Sequence, residues 1–208
     1  VAGDVGIQFE LASIDPDGNP TNGIIRKYTS KTSFLSASLD LGEADAVKGS
    51  VFGSVAWNTD EYLNIWVCDL SIQNRDELLG YAFPPTNAAF WSANSYASND
   101  RQGVVLHYKV VGAQNPFKLS TGVKTLVHEV GHYLGLRHIW GDAPTWARCN
   151  TNYDDFIKDT PLSANNSNAS GCNLIKNTCE ATVPGDLPDM IENYMDYSPE
   201  VCQNMFTN

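Results

Sequence analysis

The chain has 208 residues, 42% of them hydrophobic and 11% aromatic, with a formal net charge of −11. This is the composition of a folded chain with room for one sizeable core. The acidic balance argues against nucleic acid as a partner, because phosphate binding needs basic patches. It weakly favours cationic substrates. No apolar run approaches the ~20 residues of a membrane span, and no secretory signal opens the chain at Val1. A mature or trimmed chain is expected.

Val5 to Leu11 alternates apolar residues with Gly6, Gln8 and Glu10 and reads as a half-buried strand. Asp15-Pro16-Asp17-Gly18-Asn19-Pro20 is turn chemistry. Gly23 to Tyr28 fits a short strand, and Lys31 to Lys48 fits either a helix or an irregular loop. Tyr62 to Leu70 is strongly apolar and reads as a central strand. Leu78-Leu79-Gly80-Tyr81-Ala82 reads as a strand stopped by Pro84-Pro85. Asn87 to Asn99 reads as a loop, and Gly103 to Val110 as another strand, with His107 structural.

A helix is expected from Ser120 or Thr121, whose hydroxyl would cap it. Its apolar face is drawn from Val123, Leu126, Val127, Val130 and Leu134. On it lies His128-Glu129-Val130-Gly131-His132, followed by Tyr133-Leu134-Gly135-Leu136-Arg137-His138. Residues four apart leave one helix face one turn apart, which suits two ligands of a tetrahedral zinc ion. Glu129 then sits beside the water on that ion. Gly135 can adopt a positive φ and turn the chain, offering His138 as the third ligand. Three protein ligands leave a fourth position open, the catalytic pattern rather than the structural one. The plain alternative is a buried helix with satisfied core histidines. The extended motif uses three of the chain's four histidines, which weighs against it.

From Gly141 to Pro188 the composition turns to Asn, Ser, Thr, Asp and Gly. Four of the five cysteines, Cys149, Cys172, Cys179 and Cys202, lie beyond the zinc motif. An even group of four points to two disulfides and an oxidising compartment, with three connectivities open. Four thiolates on a second zinc would need short paired spacings that are missing here. Cys68, in an apolar run, reads as a buried small hydrophobe. Asn165-Asn166-Ser167 and Asn168-Ala169-Ser170 match the glycosylation sequon, which matters only in a eukaryotic host. Asp154-Asp155-Phe156-Ile157-Lys158-Asp159-Thr160 offers the carboxylates and turn carbonyls that Ca²⁺ takes, against the alternative of a solvated acidic loop. Asn193-Tyr194-Met195-Asp196-Tyr197 supplies a methionine turn near the C-terminus.

The long zinc motif with a later methionine turn resembles the metzincin metallopeptidases. Leu63-Asn64-Ile65-Trp66-Val67-Cys68, Thr125-Leu126-Val127, Asp159-Thr160-Pro161, and the stretch from Asn193 through Met205-Phe206-Thr207 resemble the pappalysin family, ulilysin-like branch. The resemblance implies an α/β fold: a twisted mixed sheet with an antiparallel edge strand, backing helices and an irregular, disulfide-stapled C-terminal lobe. Residues 1–138 would form the N-terminal lobe and 139–208 the C-terminal one, a single catalytic domain with its cleft between them. It implies the pairs Cys149–Cys179 and Cys172–Cys202. It also implies a secreted precursor, and a calcium site at Asp155 with main-chain oxygens of Lys158 and Thr160.

The implied activity is a zinc endopeptidase acting on proteins or peptides, expected as a monomer. His128, His132 and His138 would hold Zn²⁺ and Glu129 would move protons. Tyr197 would bind the oxyanion, and Met195 would floor the site. Leu79, Gly80 and Tyr81 would bind an extended substrate along a strand edge. Glu200 would favour cleavage before Arg or Lys. The rival readings are a zinc-binding recognition module without turnover and an enzyme acting on a non-peptide amide. The intact Glu129 weighs against the first, and the edge strand against the second.

Overall fold

The computed structural model describes residues 6–73, 75, 78–91, 98–119, 124–168, 171–179 and 184–207. The described residues divide into two compact units between Tyr133 and Leu134: 6–133 and 134–207.

In the first unit, β1 (Ile65–Cys68), β2 (Gly80–Ala82) and β3 (Val104–His107) form a mixed sheet in the order β1-β3-β2. β1 runs parallel to β3, with Trp66 opposite Val105, and β2 runs antiparallel to it, with Tyr81 opposite Val105. The expected α/β fold with an antiparallel edge strand is therefore present. The central strand, however, is β3 rather than the Tyr62–Leu70 run. All four β3 residues are buried, as suits a strand covered on both faces. β1 buries only alternate residues, leaving Ile65 and Val67 almost half exposed.

One sheet face packs Trp66, Cys68, Tyr81 and Val105 on Phe34, Leu35, Ala44, Val47, Leu70 and Ile72. On the other, Val104, Leu106 and Val110 meet Leu63, Leu79, Val130 and Tyr133. Beneath β2 lies an ionic knot in which Asp45 and Lys48 are buried and Arg101 is partly exposed. Asp45 Oδ1 accepts from the Tyr81 hydroxyl at 2.6 Å and pairs with Lys48 Nζ at 3.0 Å, while its Oδ2 meets Arg101 Nε at 3.0 Å. Such a network is costly to break from one side, because the partner charge is left in the core. The ambiguous Lys31–Lys48 stretch resolves as a single turn, α1 (Leu41–Ala44), capped by Asp40 and running into a 3-10 turn at Asp45–Lys48.

The two N-terminal strands expected are not there. Among the described residues, 6–12 and 23–28 form no strand, and Phe9, Leu11, Ile24 and Ile25 are about half exposed or more. Alternation alone does not make a strand without a neighbour to accept its ladder bonds. Asp15 does form the expected turn, its Oδ1 accepting from Asp17 N and Asn19 N.

The helix α2 (Thr125–Tyr133) carries the histidine pair. Its expected cap at Ser120 or Thr121, and Val123, lie outside the described residues. Its apolar face is narrower than read: Leu126 and Leu134 are exposed, and Val130 and Tyr133 make the contact.

The second unit has little apolar core. Ile139, Ile191 and Met195 are buried, but so are Asp155, Thr160, Ser167, Asp189, Asn193, Asp196 and Gln203. Buried polar groups need partners. Lys176 Nζ lies 2.9 Å from Asp189 Oδ2 and donates to Asn165 O, Asn166 O and Ser167 Oγ. Asp189 also accepts from Thr178 N and Oγ1. Bonds Cys149–Cys179 and Cys172–Cys202 close loops of the same sequence separation, 30 residues. Chain-entropy arguments put each at about 3–4 kcal/mol, so covalent closure stands in for missing apolar burial. Cys68, in the first unit, is a buried free thiol whose pKa burial pushes up to about 12.

Candidate active site

α2 is short, and its most buried positions are chemical rather than apolar: Thr125, His128, Glu129, Gly131 and His132. The 3.6-residue period brings His128 and His132 together on one face, with Nε2 atoms 3.1 Å apart and rings at 88°. Two nitrogens at about 2.1 Å from one tetrahedral ion stand roughly 3.4 Å apart, so the pair is already close to chelating distance. Trp91 meets the His132 ring edge-on at 6.1 Å.

The helix stops at Tyr133, and Gly135 takes φ +99°, the left-handed turn a side chain would resist. His138 follows. Each of the three histidines offers a ring nitrogen within 4.8 Å of the others, and among the described residues this is the set of His, Cys, Asp and Glu side chains gathered as a metal site. Three neutral imidazoles are a donor set that fits zinc.

Glu129 is 6% exposed, and burial pushes its pKa up to about 8. A divalent cation nearby favours the charged form and opposes that shift. β2 lies directly on it: a Cβ built at Gly80 would stand 3.0 Å from Glu129 Cγ, and equally close to Leu106 Cδ2 and Val105 O. Leu79 O accepts from His107 N, so the β2 pairing with β3 extends to Leu79. The Tyr81 side chain is buried on Asp45, so only its backbone faces the strand edge.

Around His138 the second unit assembles an aromatic box. Trp140 stacks on its ring at 4.3 Å and 5°, and Tyr197 meets it edge-on at 4.8 Å and Trp140 at 4.9 Å. Tyr197 is about half exposed. Met195 is buried. Its N–H donates to Asn193 Oδ1 at 2.9 Å and its carbonyl accepts from Ile139 N at 3.3 Å, tying the methionine turn to the residue after the third histidine. Tyr194 N bonds Met205 O, which anchors the chain's last residues to the same turn.

Asp155 is 6% exposed and accepts from Ile157 N at 2.9 Å. Desolvation pushes its pKa up to about 7, and Asp154 adds to the shift. Thr160 is buried beside it, whereas the Lys158 side chain points to solvent and leaves only its carbonyl as a donor. Glu200 is half-buried next to the Cys172–Cys202 bridge. Asp196 is fully buried, accepting from Ser167 N at 3.0 Å, so it belongs to the turn. Asp142 and Trp140, both against His138, were missed by motif reading, which ends at the third ligand. The signal available was an acid four residues past it.

This donor set on a mixed sheet defines a class, the metzincin-like metallopeptidases. Residues 47–208 match the peptidase M43 model described as pregnancy-associated plasma protein-A, and the chain belongs to that family. It is 38% identical over 135 residues to an extracellular metalloprotease of Verticillium alfalfae, covering 64% of this chain and 41% of that protein. It is 28% identical over 202 residues to an extracellular metalloprotease of Arthroderma gypseum, covering 97% of this chain and 56% of that protein. Among solved structures, mature mirolysin of Tannerella forsythia in complex with a cleaved peptide superposes with a TM-score of 0.78 at 41% identity, covering 99% of this chain and 68% of that one. The chain thus spans less than half the length of the Verticillium relative. The relatives' names place them outside the cell, a compartment that two disulfides fit. No described helix is long and apolar enough to cross a membrane.

Proposed function

We propose that residues 1–208 are the catalytic domain of an extracellular zinc endopeptidase that hydrolyses proteins or peptides. The observation that carries this is a buried glutamate on the helix of a histidine pair, with a sheet-edge strand laid against it. His128, His132 and His138 would hold the ion. When bound, zinc polarises the scissile carbonyl and lowers the pKa of water. Glu129, desolvated and adjacent, takes the proton of the attacking water and passes it to the leaving amine. Tyr197, half exposed against the His138 ring, donates to the oxyanion. The backbone of Leu79, Gly80 and Tyr81 binds the substrate as an added strand. A casein or peptide-library assay with and without chelator tests this: zinc-restored cleavage supports it, and zinc binding without turnover leaves the recognition-module reading.

The same reading extends to selectivity and to calcium. Glu200, held by the neighbouring disulfide, would pair with Arg, then Lys, on the downstream side of the cut bond. The burial of Asp196 supports Glu200 as the acid of that segment. Sequencing new N-termini from a digested protein mixture, repeated with Glu200→Gln, is the test. No excess of Arg or Lys in the wild type would sink the selectivity. An excess that survives the substitution would move it to another acid. Asp155, with carbonyls of Lys158 and Thr160, would hold Ca²⁺; the desolvated carboxylate supports this, since a cation would offset its burial.

A further inference from the structure

The third histidine is held differently from the other two. His128 and His132 take their direction from the helix, whereas His138 lies beyond it, where no backbone regularity sets its ring. Local contacts do so, among them those with Trp140, Tyr197 and Asp142. Trp140 covers one ring face, in parallel at 5°. Tyr197 closes an edge. Asp142 Oδ1 lies 2.7 Å from Nδ1 of His138.

The backbone reaches this last contact at a cost. Gly141 and Asp142 both adopt left-handed conformations, φ +62° and +56°. A Cβ at Gly141 would stand 2.0 Å from Tyr153 O, so only glycine fits there. Asp is one of the few side-chain residues that tolerate such a φ. Gly141 N bonds His138 O at 2.8 Å, and the Arg137 guanidinium grips Gly141 O. The turn is thus tied at both ends and aims one carboxylate at one ring nitrogen.

We propose that Asp142 is the positioning residue of the third zinc ligand: its carboxylate fixes His138 as the Nδ1–H tautomer and so presents Nε2 to the metal. A carboxylate accepts and does not donate, so the hydrogen bond places the proton on Nδ1. A neutral imidazole carries one N–H, and its other nitrogen is then the free donor.

This inference rests on His138 being a zinc ligand, so the test reads zinc directly and not through proteolysis. Asp142→Gly keeps the left-handed turn and deletes the carboxylate. Asp142→Asn keeps the turn and a neutral acceptor oxygen. Zinc dissociation constants by chelator competition should weaken roughly 10–100-fold in D142G, and by less in D142N. In the zinc-loaded wild type labelled with ¹⁵N-histidine, His138 should carry its proton on Nδ1 and bind metal through Nε2. Metal bound through Nδ1 would overturn the proposal even if D142G did not fold. So would wild-type zinc affinity in a folded D142G. If the wild-type protein took up no zinc at all, the site reading would fall with it.

Discussion

Glu129 and Tyr197 differ in what surrounds them, and the difference sets what each substitution should do. Glu129 is buried on α2 and is no member of the donor set. Glu129→Ala should therefore keep zinc, by metal analysis, and lose about 10²–10⁴ in turnover. Near-normal turnover in a zinc-loaded mutant would remove it as the base. Tyr197 is about half exposed, with its ring packed on His138 and Trp140. Tyr197→Phe preserves that packing. It should lower kcat by up to about 10²–10³ with little change in KM, as for a donor used only in the transition state. An unchanged kcat would make the tyrosine a wall of the histidine box. Glu129 was singled out in the sequence by its place between two histidines, and Tyr197 by the family resemblance. Asp142 was not, because its role depends on a backbone conformation that no spacing rule encodes.

Elements were read less well than motifs, for identifiable reasons. The strand candidates at Val5–Leu11, read from its alternation, and Gly23–Tyr28 form no strand among their described residues. The run at Tyr62–Leu70 and the shorter one at Val104–His107 differ little in apolar content, and only the strand order makes the second one central. The proline stop after β2, by contrast, marked a real edge. That strand carries a prediction of its own. Gly80→Ala places a methyl 3.0 Å from Glu129, Leu106 and the Val105 carbonyl at once. Overpacking of this kind costs about 1–3 kcal/mol, and a shifted Glu129 should cost about tenfold to a hundredfold in kcat/KM. Melting and kinetics measured together would test it. Full activity in the mutant would mean β2 yields freely and does not set the glutamate's position.

At the scale of the whole molecule, stability should depend on calcium and pH together. Folded Asp155 without a cation keeps its proton up to about pH 7, against an ordinary value of 3.8. Between those values the folded state holds the extra proton, so stability falls as pH rises through the window. Saturating Ca²⁺ would compensate the charged carboxylate and flatten that fall, adding stability by mass action. Tm across the window with and without Ca²⁺, at constant zinc, is the measurement. Groups common to both arms cancel, and parallel curves would count against the calcium site. The polar core around Lys176, Asp189 and Asp196 was hidden from the sequence because composition shows loops and not which polar groups meet inside them.

The two disulfides overlap along the chain: the second begins at Cys172, before the first has closed at Cys179. A cut before Cys172 leaves its two pieces joined through Cys149–Cys179, and a cut after Cys179 leaves them joined through Cys172–Cys202. Every peptide bond from Cys149 to Cys202 is spanned by at least one bridge. The chain can therefore be nicked once in this loop-rich stretch without shedding Met195 or Tyr197. Such molecules would run as one intact band until a reductant separates them.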